Sequence, residues 1–185
     1  MGLLMKADTP LIQALPANGI YTLVISLSRE ICLSVGKLGQ QRFPKGHYTY
    51  TGSALGKGAL SLKRRISRHI QKEKRNFWHI DFLLDNENAT VTTVVAAQTN
   101  EKLECNLNSY IRREGWAEIL VEGFGASDCR ENCGSHLLFY PDITEEPVLV
   151  QKIVKCYEVL GLAPLSYCAC VLSMRAHGIE LLQKP

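Results

Sequence analysis

No apolar run in the 185-residue chain approaches the ~20 residues that cross a bilayer, so no membrane partner is expected. The first segment, MGLLMKADTPLIQ, also lacks the unbroken apolar core of a secretory signal, because Lys6, Asp8 and Pro10 interrupt it. A cytoplasmic location is the expectation. No internal repeat or low-complexity tract is present, so repeat arrays and disordered scaffolds are set aside. The seven cysteines are an odd number, and in a reducing compartment they favour free thiols or metal ligands over a disulfide framework.

Acid is scarce in one place. Between Lys57 and Arg75, eight cations (Lys57, Lys63, Arg64, Arg65, Arg68, Lys72, Lys74 and Arg75) face only Glu73. That segment carries +7 of a chain whose net charge is +3, which leaves −4 for the rest. A solvated helix face is the ordinary explanation of a charge run, but one so free of balancing carboxylates points to a polyanion partner. Nucleic acid, and DNA first, is the expected partner, with Lys57, Lys63, Arg64, Arg68 and Lys72 as phosphate contacts.

What is present organises one α+β domain. Residues 1–17 hold two prolines and no sustained period, and read as an arm. GIYTLVISL, Gly19 to Leu27, is apolar almost throughout and reads as a buried strand. ICLSV, GKLG and QQRF read as strand, turn and strand leading to HYTYTG, so local connections favour a small, mainly antiparallel sheet. From Ala59 to about Arg75, Leu62, Ile66 and Ile70 recur four apart as the core stripe of a helix, with Arg65 and His69 together at its border. Gly52, Gly56 and Gly58 precede it, where close backbone approach is useful. FWHIDFLL suits strand or helix, and if extended His79 and Asp81 share a face. Further on, a strand over 90–97, a helix from Glu101 to about Arg113, a strand near Ile119 to Phe124 and the apolar run HLLFY are expected. Pro141 to Pro147 reads as a boundary, so residues 18–140 form the domain and 141–185 a C-terminal helical extension packed on it.

Gly19-Ile20-Tyr21, Tyr50-Thr51-Gly52, the helical Arg65-Ile66-Ser67-Arg68-His69 and the later Glu104 fall in an order that resembles the GIY-YIG nuclease superfamily over residues 19–140. Within it, the chain looks closest to an uncharacterised, mainly archaeal branch that also occurs fused to endonuclease III-type repair glycosylases. The resemblance implies a small sheet flanked by helices and a metal-dependent endonuclease of DNA, with a place in repair and a repair-protein partner. It implies that Tyr21 and Tyr50 position or deprotonate the attacking water, that Arg65 compensates phosphate charge, and that Glu104 holds Mg²⁺ or Mn²⁺. His69 would assist proton transfer or touch phosphate. Asn108, Ser127 and Asp128 are candidates for the family's asparagine after the glutamate.

Taken singly, each of these residues is ordinarily structural; the ordered set carries the reading. A nucleic-acid-binding module with the same fold and no turnover is the alternative. Cys105, Cys129, Cys133 and His136 offer zinc its preferred ligands, although the Cys-x-x-x-Cys-x-x-His spacing is not a strong signature and buried free cysteines are common. A cysteine nucleophile, Cys105 or Cys129 with His136 as base, ranks last because nothing specifies an oxyanion hole.

Overall fold

The computed structural model describes residues 15–56, 61–71, 74–127, 129, 131 and 133–169. Nine-residue strand β1 (Gly19–Leu27) lies at the centre of a five-stranded sheet, and eight of its residues are buried, which explains its continuous apolar character. The short strands β2 (Ile31–Ser34) and β3 (Gln40–Phe43) form a separate two-stranded sheet. Setting that hairpin aside lets β4 (Gly46–Ala54) pair directly and antiparallel with β1, Tyr21 opposite Gly52 and Leu23 opposite Tyr50. β5 (Ala89–Ala97) flanks β1 on its other edge, β6 (Leu137–Tyr140) flanks β4, and β7 (Leu165–Cys168) extends β5. Every pairing in the sheet is antiparallel, giving the order β6-β4-β1-β5-β7.

Helices cover both faces of this α+β sheet. On the first, α1 (Leu62–Ile70) and α2 (His79–Asp85) add Leu62, Ile66, Ile80 and Leu83 to a cluster with Tyr21, Leu23 and Ile25. On the second, α3 (Glu104–Gly115) and α4 (Glu146–Val159) pack Leu107, Ile111, Leu149 and Ile153 on Ile20 and Val24. The period of two along β1 divides these cores, and the period near four along the helices meets them. Pro147 sits in the first turn of α4, where its missing N–H costs no helical bond.

Two local readings need correction. FWHIDFLL supplies a helix, because the Asp81 carboxylate accepts the N–H groups of Phe77 and Trp78 and caps its start. His79 and Asp81 therefore share no extended face. Residues 119–124 make bends and turns in place of a strand: Trp116 just before them and Gly123 within them adopt positive φ, and the neighbouring Glu118–Phe139 pair is an isolated bridge. No helix among the described residues is long and apolar enough to cross a membrane.

Candidate functional site

Tyr21, Tyr50, Arg65 and His69 come together at one end of the sheet. Tyr21 and Tyr50 project from adjacent strands onto the face covered by α1. The Tyr21 phenol folds across Gly52: a Cβ there would lie 2.6 Å from its hydroxyl, so the glycine of YTG makes room for the ring. Its hydroxyl is 2.8 Å from Nε2 of His69, and the Tyr50 and His69 rings are 6.1 Å apart, edge to face. Arg65, one turn before His69, donates to the Ser53 carbonyl at 2.9 Å and lies 4.8 Å over the Trp78 ring.

A buried carboxylate organises this group. Asp81 accepts from Arg68 at 2.7 Å and from two backbone amides, and its other oxygen is 3.9 Å from Nδ1 of His69. Burial pushes the Asp81 carboxyl up, but the amides of Trp78 and Phe77 together with Arg68 outweigh it and hold it below its usual value. Burial takes His69 down to about 3, with Asp81 opposing, so its imidazole is neutral. The adjacent carboxylate favours the proton on Nδ1, which leaves Nε2 to accept from the Tyr21 hydroxyl. Burial, and next the nearby Tyr50, raise the Tyr21 phenol well above its ordinary value, so it too is neutral.

The basic residues part company here. Arg64 is exposed and Lys63 half-buried on α1, whereas Arg68 is committed to Asp81 and to the Arg75 carbonyl and lies 5.0 Å over Trp78. Lys57, Lys72 and Asp128 lie outside the described residues. Glu104 opens α3, seven residues after β5 ends at the edge where Ala97 faces Ile20, so it belongs to the same end of the sheet as Tyr21. Its ion pair is to Lys102 at 3.7 Å. Its Oε2 is buried without a hydrogen-bond partner, as is Oδ1 of Asn108 one turn along, whose Nδ2 donates to the Ser135 carbonyl.

Beside Tyr50 lies a second constellation. Cys105, Cys129, Cys133 and His136 place one ligand atom each within 4.8 Å of one another, the one such group of histidine, cysteine and carboxylates among the described residues. The Cys129 sulfur is 3.2 Å from that of Cys105 and 3.3 Å from that of Cys133, and Cys105 is 3.6 Å from Nε2 of His136. Three sulfurs and one imidazole could hold a metal and suit zinc over a hard cation. Burial pushes the Cys129 thiol up, yet backbone and thiol hydrogen bonds prevail and bring it to about 7. Cys32 and Cys156 are free thiols elsewhere, and Cys168 is disulfide-bonded.

Sequence reasoning overlooked Trp78, the plate between Arg65 and Arg68, and Gly125, whose N–H donates to Nδ1 of His79 at 3.1 Å. For Asp81 the available signal was a carboxylate three residues after Trp78, the spacing of a residue that caps a helix start.

Residues 20–159 match the family described as "Domain of unknown function DUF123", and the chain belongs to that family. No curated protein and no solved structure matches the chain.

Proposed function

We propose that this chain is a GIY-YIG-type endonuclease that hydrolyses phosphodiester bonds of DNA with the help of a divalent cation. The observation that carries the reading is the convergence of Tyr21, Tyr50, His69 and Arg65, from two strands and one helix, at one end of the sheet. Hydrolysis of a phosphodiester requires a proton to leave the attacking water and negative charge to be met around phosphorus. In this arrangement the Tyr21 hydroxyl passes its proton to Nε2 of His69 as it takes one from the water. The resulting imidazolium faces the Asp81 carboxylate. Tyr50 orients the water, and Arg65 meets the charge that grows on the phosphate oxygens. The partnerless buried oxygen of Glu104 fits a magnesium or manganese ion, which takes oxygen donors and would supply Lewis-acid stabilisation of the phosphate. DNA approaches over the basic outer face of α1, where Arg64 is exposed. A role in repair, with a repair-protein partner, is the context that the resemblance favours.

A specific observation favours a second reading, a DNA-binding module without turnover. Tyr21 and His69 are 1% and 2% exposed, and the proximal Arg65 already serves the Ser53 carbonyl, so the group resembles a finished core as much as an open catalytic cleft. One panel separates the two. Branched, nicked and single-stranded DNAs are incubated with Mg²⁺ or Mn²⁺ and wild type, Arg65→Ala or Glu104→Gln protein, and cleavage and binding are both followed. The nuclease reading expects cleavage that falls about 100-fold or more in either variant. Salt-sensitive binding with no cleavage on any substrate selects the module, and cleavage undiminished in both variants removes the proposed chemistry.

A further inference from the structure

We infer that Cys105, Cys129, Cys133 and His136 bind one Zn²⁺ in a closed structural site, and that this metal clasp holds the segment from Phe124 to His136 against Tyr50. The placement of the Tyr50 phenol thereby depends on the metal.

The ligands come from two separate pieces of chain. Cys105 is fixed in the first turn of α3, whereas Cys129, Cys133 and His136 belong to the excursion that leads into β6. That excursion has a short backbone stem, with the Gly123 N–H donating to the Gly134 carbonyl at 2.7 Å and the His136 N–H to the Phe124 carbonyl at 2.8 Å. Beyond the stem, the thiols and imidazole provide its link to α3 together with the Asn108–Ser135 bond. Zinc–sulfur bonds of about 2.3 Å place tetrahedral sulfurs about 3.8 Å apart, so the present 3.2 and 3.3 Å separations need to open by only about half an ångström. Four protein ligands, with Cys105 and His136 buried, fill a tetrahedron and leave no position for water or substrate, which is the pattern of a structural ion.

Tyr50 is what the clasp closes on. A Cβ on Gly125 would lie 2.7 Å from Cε2 of the Tyr50 ring, 3.1 Å from its hydroxyl and 3.2 Å from Cβ of His136. Phe124 meets the same ring edge to face at 6.3 Å, and His79 fixes Gly125 through its amide. The Thr51 N–H donates to the His136 carbonyl at 3.1 Å, so the residue after Tyr50 is bonded directly to a ligand residue. Release of the metal frees two ends of this box at once, whereas the Tyr157 hydroxyl on α4 is held by Thr22 and Val95, neither of which is a ligand residue.

The inference stands apart from any hydrolytic role, because its test uses neither DNA nor activity. The full chain is purified without chelator from zinc-supplemented cells, its zinc content is measured, and ring-labelled tyrosine is followed by NMR before and after chelation. Tyr50→Phe and Tyr157→Phe assign the two signals. The expected result is one zinc per chain, a Tyr50 signal that shifts or broadens on chelation and returns with Zn²⁺ or Co²⁺, and a Tyr157 signal that stays in place. Restored Co²⁺ should show the intense visible bands of a tetrahedral thiolate site, and Cys133→Ser should lose stoichiometric zinc. Absence of zinc overturns the inference, as does a Tyr50 signal indifferent to chelation. Loss of both tyrosine signals together also overturns it, since the metal would then support the whole fold and not this clasp. Should Cys133→Ser not fold, chelation and restoration of the wild type decide alone.

Discussion

The two faces of β1 bury Tyr21 and Tyr157 in opposite ways. On the second face the Tyr157 hydroxyl lies 3.1 Å from that of Thr22 and donates to the Val95 carbonyl at 3.1 Å, while the Tyr140 hydroxyl meets that of Thr49 at 2.9 Å. Those partners are neutral and do not titrate, so each pair simply satisfies a buried phenol. On the first face Tyr21 meets His69, which faces Asp81, which holds Arg68. Such a chain costs more to bury than a hydroxyl pair of equal size, because every member has to be matched in charge as well as in hydrogen bonding. The comparison teaches that core packing accounts for one set of tyrosines and leaves the titratable machinery around the other set unexplained by packing alone.

Three substitutions or conditions sharpen that contrast, the two on the first face with larger effects than the one on the second. Gly52→Ala drives a methyl into the Tyr21 phenol, and a stability loss of about 1–3 kcal/mol is expected in urea unfolding, with the Tyr21–His69 bond displaced. Acid comes next. His69 has a folded value near 3 against 6.5 when unfolded, so the unfolded chain binds the extra proton, and its contribution is complete above about pH 6.5 and lost as pH falls toward 3. The slope contributed approaches about 1.4 kcal/mol per pH unit within that window, and it disappears in His69→Gln when stability is measured against pH. Tyr157→Phe, on the second face, should cost only about 1 kcal/mol and leave any handling of DNA unchanged, as measured by paired unfolding and binding assays. Loss of DNA binding in that variant would erase the distinction between the faces.

Much of the frame was readable from the chain itself. β1 and β4 announce themselves because an apolar run and an aromatic alternation belong to strands, and the stripes of α1 and α3 follow their helical period. The turns over 119–124 were misread because their apolar residues resemble a strand, while the positive φ of Trp116 cannot be inferred from a residue that seldom adopts it. Within the site, the motif residues were named from order alone. The fate of Arg68 was not, since its tie to Asp81 spans thirteen residues and depends on α2 being a helix whose capping carboxylate turns back toward α1. Cys105 shows the same limit: its partners lie 24 and more residues away, and only the approach of α3 to the excursion before β6 brings them together.

The most direct test of the account is cleavage of a branched DNA panel with Mn²⁺ or Mg²⁺ by wild type and Tyr21→Phe protein, the latter matched to wild type by thermal unfolding. The account predicts metal-dependent cleavage by wild type and a loss of about 100-fold or more when the hydroxyl that faces His69 is removed. Equal cleavage by the two proteins, or no cleavage of any substrate by wild type, would contradict it.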